Sequence, residues 1–131
     1  MFFPPAVVVH GLDDAHSALR PGLPITLLSA RGAALFAGCG WWRALIVAAE
    51  APIDILDCAD APGHAMAALR IGQQNLVLDP ACPAFAAVTA AAGSLGARVL
   101  PGRPPALDLA DPGAERRLLA WLQGDKPKWL G

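Results

Sequence analysis

Short oily runs alternate along this chain with longer alanine-rich stretches. Ala6 to His10, Ile25 to Ser29, Ile53 to Cys58, Asn75 to Asp79 and Ala97 to Leu100 are rich in Val, Ile and Leu, and most are apolar almost throughout. Unbroken apolarity, as opposed to alternation, marks strands covered on both faces, as in a parallel sheet. Between the runs, helices are predicted near Asp13 to Leu19, within Ala33 to Ala51, over Pro62 to Ile71 and over Pro83 to Leu95. Gly22, Gly72 and Gly96 each follow a helical stretch and precede a strand, where a left-handed C-terminal residue is expected. Asp60 stands just ahead of Ala61 and Pro62, placed to cap the helix that follows.

After Leu100 the run PGRPPALDLAD is proline-rich and reads as an irregular surface connection, with a short edge strand at Ala106 to Leu109. Asp111 and Pro112 open a last helix that reaches about Gln123, with Gly124 as its stop. The remaining residues, DKPKWLG, read as a loose tail unless Trp129 docks. Two successive units, ILDCADAPGHAMAAL from Ile55 and VLDPACPAFAAVTAA from Val77, align Asp57 with Asp79 at a period of 79 − 57 = 22. Strand, aspartate, turn and helix recur, as any two βα units allow, and no solenoid is implied.

Within the second helical region lies FAGCGWWR, Phe36 to Arg43. Glycine costs a helix up to about 1 kcal/mol relative to alanine, so Gly38 and Gly40 predict a short helix over Ala33 to Ala37 and a second one starting near Trp41. Neighbouring residues on a helix point about 100° apart, so Trp41 and Trp42 cannot both face the sheet. Three readings stay open. One ring closes a pocket with Arg43 as a donor; or Trp41, Trp42, Leu45 and Ile46 centre a self-complementary homodimer face; or both rings pack inside one subunit. The dimer is favoured because the helix is apolar on nearly all sides.

At 131 residues the chain has the size of one domain, 1–131, and can bury a core without disulfide or metal staples. Its 55% hydrophobic content, swollen by alanine, asks for a partner surface. The net charge of −1 and the absence of any basic run set nucleic acid aside. Cys39, Cys58 and Cys82 are odd in number with no C-x-x-C pairing, which argues against a disulfide framework or zinc ribbon and for a reducing cytoplasm. The N-terminus lacks the charge and apolar length of an export signal. The apolar segment from Gly32 to Ala49 is interrupted by Arg43, which costs about 2.5–3.5 kcal/mol at mid-bilayer, so a buried helix is expected instead of a membrane span.

In an open parallel sheet, the loops leaving the carboxyl ends of the strands share one rim, and ligands bind there. That rim would gather His10 and Asp13, then Ser29 and Arg31, then Asp57, Cys58, Asp60 and His64, then Asp79 and Cys82. Asp57 and Asp79 end neighbouring strands, so they would either share a proton or a Mg²⁺, or each accept amide bonds from its own turn. Cys58 and Cys82, with His64 or His10, suggest a thiol nucleophile or soft metal site, against the ordinary reading of buried apolar cysteine. His64 sits in a first helical turn, which disfavours its protonated form. The chain has no P-loop, no G-x-G-x-x-G after the first strand, no G-x-S-x-G and no H-E-x-x-H.

The order of elements is similar in layout to response-regulator receiver domains and flavodoxins. That resemblance implies an acidic pair ending strand one, a phosphoacceptor aspartate ending strand three and a lysine ending strand five. Asp57 does end the third strand, but His10 and Gly11 stand where the acids belong and the fifth strand runs into VLPGRPP without the lysine. The expected fold is an α/β three-layer sandwich around a mostly parallel five-stranded sheet, flavodoxin/Rossmann-like and doubly wound. The expected function is non-catalytic binding of a small ligand, with an anionic one in view, by His10, Asp13, Ser29, Arg31, Asp57, Cys58, Asp60, His64 and Asp79, with no cofactor or metal. The alternatives are a small hydrolase or transferase using the Cys58 thiol or the Asp57/Asp79 pair, and a purely structural oligomerisation module.

Overall fold

In the computed structural model, which describes residues 3–124, the runs predicted as strands pair in parallel. The strands are β1 (Ala6–Val8), β2 (Thr26–Leu28), β3 (Asp54–Asp57), β4 (Asn75–Val77), β5 (Arg98–Leu100) and β6 (Ala106–Asp108). The helices are α1 (Leu12–Leu19), α2 (Ala33–Phe36), α3 (Cys39–Ala49), α4 (Pro62–Arg70), α5 (Phe85–Ser94) and α6 (Ala114–Leu122). The sheet is six-stranded, not five-stranded, in the order β5-β4-β3-β2-β1-β6. The added strand is the proline-flanked Ala106 to Asp108, which lies in register with β1, Ala6 opposite Ala106 and Val8 opposite Asp108. It is an edge strand, where nearby prolines leave no ladder bond unmade.

Alternate side chains feed two cores. Val7, Val9, Leu27, Leu56, Leu76, Leu78 and Leu107 point to one face and pack with buried residues of all six helices. Ala6, Val8, Leu28, Ile55 and Val77 point to the other, where Phe3, Leu100 and Ala106 pack against them. The first face therefore carries every helix, and the second is covered by chain without helical structure. This follows from handedness. The steps from β1 to β5 all move the same way, so right-handed crossovers put their helices on one side; the return from β5 to β6 must then cross the other.

That return is short. Residues 101–105 link opposite edges of the sheet, so six peptide steps, about 20–22 Å when extended, must span five strand intervals of about 4.8 Å each. A flat sheet would put the edges about 24 Å apart, beyond that reach. The sheet therefore curls towards its second face, and Pro101 to Pro105 cross it as a strap. The layout of parallel strands alternating with helices is Rossmann/flavodoxin-like, with this strap in place of a second helical layer.

FAGCGWWR breaks at Gly38, as predicted, but not at Gly40: α2 ends at Phe36, Gly38 takes φ +91°, and α3 starts at Cys39, two residues before Trp41, with Gly40 inside its first turn. Trp42 is wholly buried, and its Nε1 donates to Asp54 Oδ2 at 2.9 Å. Leu45 and Ile46 are also core residues, so of the proposed dimer face Trp42, Leu45 and Ile46 are spent inside the protomer. They lie on the side of α3 that covers the sheet. Trp41 alone of the four is exposed. Arg43 does not reach the strand-end rim; its Nη2 donates to Asp54 Oδ1 at 3.2 Å and its Nη1 to Gln73 Oε1 at 3.3 Å. Gln73 Nε2 completes the network with a 2.7 Å bond to Asp54 Oδ2. Asp54, at the start of β3, is thus a buried carboxylate with three side-chain donors, and no ligand is needed to satisfy it.

Among the described residues, no helix is long and apolar enough to cross a membrane. The tail beyond Gly124, with Trp129, lies outside the described residues.

Candidate functional site

Because every strand runs the same way, the loops after β1 to β6 open on one rim, as the strand pattern predicts. Two depressions form there. Four of the nine expected site residues, Arg31, Asp57, Asp60 and Asp79, line a cleft of about 370 Å³ together with Arg103, Gly32 and Ala59. His10 and Asp13 belong to a separate, shallower hollow beside β6, with Gly11, Leu12 and Asp14. The rim is shared, but the sequence's single pocket is divided, because β2 stands between β1 and β3.

The cleft is built from turn chemistry. Asp57 Oδ1 accepts the Ala59 amide at 2.8 Å, and Asp79 Oδ1 accepts the Ala81 amide at 2.9 Å. Asp108 Oδ1 does the same for Ala110 at 2.9 Å. Each aspartate thus holds its own strand-end turn, and the recurrence of Leu-Asp-x-Ala at Leu56, Leu78 and Leu107 was the signal for it. Ala59 pays for this turn with φ +50°, a left-handed conformation that alanine rarely adopts; its carbonyl accepts the Asp79 amide at 2.8 Å, tying the third loop to the fourth.

Asp57 is nearly buried, and its Oδ2 accepts from Arg103 Nη1 at 2.7 Å, the two side chains being 6% and 14% accessible. Arg103 sits at the middle of the strap, and no local sequence signal marks it, since only the curl of the sheet brings it to β3. Where the receiver resemblance asks for a lysine ending strand five, a guanidinium three residues further on meets the same aspartate. Its Nη2 and Nε make no hydrogen bond among the described residues.

The other expected residues separate into free and engaged groups. Arg31, Asp60 and His64 are exposed and make no hydrogen bond or ion pair within residues 3–124. Asp60 does not cap α4: that helix starts at Pro62 with Ala61 as its N-cap, so Asp60 lies one position too early. Its carboxylate stays available. His64 points from the first turn of α4 and does not line the cleft. Ser29 is buried; its Oγ accepts the Asp57 amide at 2.9 Å and donates to the Ala30 carbonyl at 3.0 Å, a structural bridge between β2 and β3.

Cys58 is fully buried, and burial, reinforced by the neighbouring Asp57 charge, pushes its thiol up to about 12. At neutral pH it is a neutral thiol, without nucleophilic or soft-ligand character. Cys82 is buried as well. Among the described residues no group of three or more His, Cys, Asp or Glu side chains is placed to hold a metal ion.

In the second hollow, His10 Nε2 meets Asp108 Oδ1 at 2.7 Å, while the His10 amide donates to Asp14 Oδ2 at 2.9 Å. This joins the ends of β1 and β6, the point where the strand order turns back. With Asp13, Asp14 and Asp108 around a single imidazole, the hollow is acidic and its histidine already engaged. No family model, no curated protein and no solved structure matches this chain.

Proposed function

We propose that the chain is a non-catalytic binding module whose strand-end cleft takes a small ligand bearing an anionic group. One observation carries the reading: Arg31 and Arg103 line the same cleft, Arg31 with no hydrogen bond or ion pair among the described residues and Arg103 bonded there through Nη1 alone. Planar guanidinium forks suit carboxylate or phosphate oxygens, and both of these line one cleft. At about 370 Å³ the cleft is at the small end of ligand sites, fit for a metabolite and too small for a dinucleotide. Binding is preferred over hydrolysis or group transfer because the candidate nucleophiles are engaged. The Cys58 thiol is buried, and both Asp57 oxygens are bonded.

The test is thermal unfolding across a panel of acetate, succinate, citrate, inorganic phosphate and free amino acids. Some members raise Tm for the wild type and lose that effect in Arg31→Ala. A panel without any shift, or shifts that persist in Arg31→Ala, would overturn the reading.

A second reading, compatible with the first, is self-association. Leu35, Phe36 and Trp41 lie exposed around the break between α2 and α3, Phe36 at 71% and Trp41 at 39%. Apolar surface of this kind favours a homodimer centred on that corner, in place of the buried Trp42, Leu45 and Ile46. Sedimentation equilibrium would show twice the 13.5 kDa chain mass, reduced to the single mass in Phe36→Ser. A monomeric wild type removes this reading. The three free cysteines favour a reducing compartment such as the cytoplasm.

A further inference from the structure

We infer that the ligand of this cleft is a zwitterion, carrying a protonated amine as well as an oxyanion, with free α-amino acids as its simplest class. The inference rests on the proposed binding role and names the ligand chemistry. It starts from the charge around the cleft: Arg31 and Arg103 contribute +2, and Asp57, Asp60 and Asp79 contribute −3, so the lining sums to −1. The Arg103 and Asp57 charges cancel in their 2.7 Å ion pair. What faces an incoming molecule is one unpaired guanidinium and two carboxylates with open oxygens, Asp60 entirely and Asp79 at Oδ2.

A simple dianion such as phosphate would meet that pair of carboxylates with like charge, at a cost that a single free arginine cannot offset. A divalent metal is no better served, since no group of three suitable ligands is assembled among the described residues. An ammonium group answers both objections. It supplies three donors to the Asp60 and Asp79 oxygens, while the carboxylate of the same molecule takes the Arg31 fork and the spare donors of Arg103. The strap and the loops after β2 to β4 thereby bring both signs of charge to one small cleft. A ligand matching both signs is selected over ligands matching one.

Isothermal titration of the intact chain with three matched sets tests this: glycine, alanine, serine and glutamate as free amino acids, their N-acetyl derivatives, and their methyl esters. Arg31 and Asp60 are exposed, so their variants fold. At least one free amino acid should bind, and its N-acetyl form and its ester should each bind about tenfold or more weakly, in keeping with loss of a charge-assisted contact. Asp60→Asn should weaken the free amino acid while leaving the N-acetyl form unchanged or improved. Arg31→Ala should weaken both. Equal binding of free and N-acetyl forms, still dependent on Arg31, would overturn the zwitterion and leave the anion-binding role standing. Absence of binding by every member overturns the zwitterion, and the thermal-unfolding panel of simple anions then decides the binding role.

Discussion

Replacing Arg103 by alanine should destabilise the fold far more than loss of a surface charge would. The guanidinium is 14% accessible and its partner Asp57 6%, at 2.7 Å, so the substitution leaves a nearly buried carboxylate with only the Ala59 amide as donor. Removing one partner of a buried pair costs about 3–5 kcal/mol, a large share of the roughly 5–15 kcal/mol that a domain of this size has. Asp57→Asn keeps the oxygen that accepts from Ala59 and leaves Arg103 with solvent nearby, so its cost should be smaller, about 1–3 kcal/mol. In the double variant no charge is stranded. Its loss should therefore fall short of the two single losses combined by about 1–3 kcal/mol. Urea unfolding at pH 7, followed by the fluorescence of the buried Trp42 and Trp121, measures all four proteins. A loss under about 1 kcal/mol for Arg103→Ala, as for an exposed pair, or strict additivity in the cycle, would refute the view that the strap is clasped to the sheet.

Three further outcomes follow from named groups. The Cys58 thiol is raised from 9.0 to about 12 in the fold, so its stabilisation is complete below pH 9 and is lost as pH climbs towards 12. A shift of this size corresponds to about 4 kcal/mol. The chain has no tyrosine to titrate in that window, and Cys58→Ala should flatten the decline seen in denaturant midpoints; an equally steep decline in the variant would contradict the assignment. Trp42→Phe keeps a smaller aromatic ring but removes the 2.9 Å bond to Asp54, and should cost at least about 1–3 kcal/mol in the same unfolding assay; a neutral effect would mean the Asp54 network is not rigid. Ala59→Gly relieves a left-handed alanine, worth about 1–2 kcal/mol, against the added chain entropy of glycine, about 0.4–1 kcal/mol. A net gain near 0.5–1 kcal/mol is expected from the difference, and a loss would show that φ +50° is not strained there.

The parallel sheet was legible because its strands are oily on both sides, and the break in FAGCGWWR because glycine disfavours helix. Gly22, Gly72 and Gly96 take φ of +71°, +94° and +72° where the helices were expected to stop. The sequence pattern did not reveal the one-sided helical layer. A strand buried by helices and a strand buried by a strap look alike in composition, since both faces are dry either way. Trp42, Leu45 and Ile46 misled for a related reason: an almost uniformly apolar helix does not say which of its sides meets the sheet. At the rim, Arg31, Asp57, Asp60 and Asp79 were found from position alone, because strand ends define that edge. Arg103 was not, since its reach to Asp57 depends on the curl of the whole sheet, a property of strand order that no local pattern encodes.

Where a small zwitterion lands on the chain tests the proposed cleft most directly. In ¹H–¹⁵N correlation spectra of the intact chain titrated with a pool of glycine, alanine, serine and glutamate, shifts should concentrate at the Arg31 and Gly32 amides, Ala59 to Asp60, Asp79 and Ala81, and Gly102 to Arg103. Shifts confined to His10 to Asp14, or spread without relation to these loops, would contradict it.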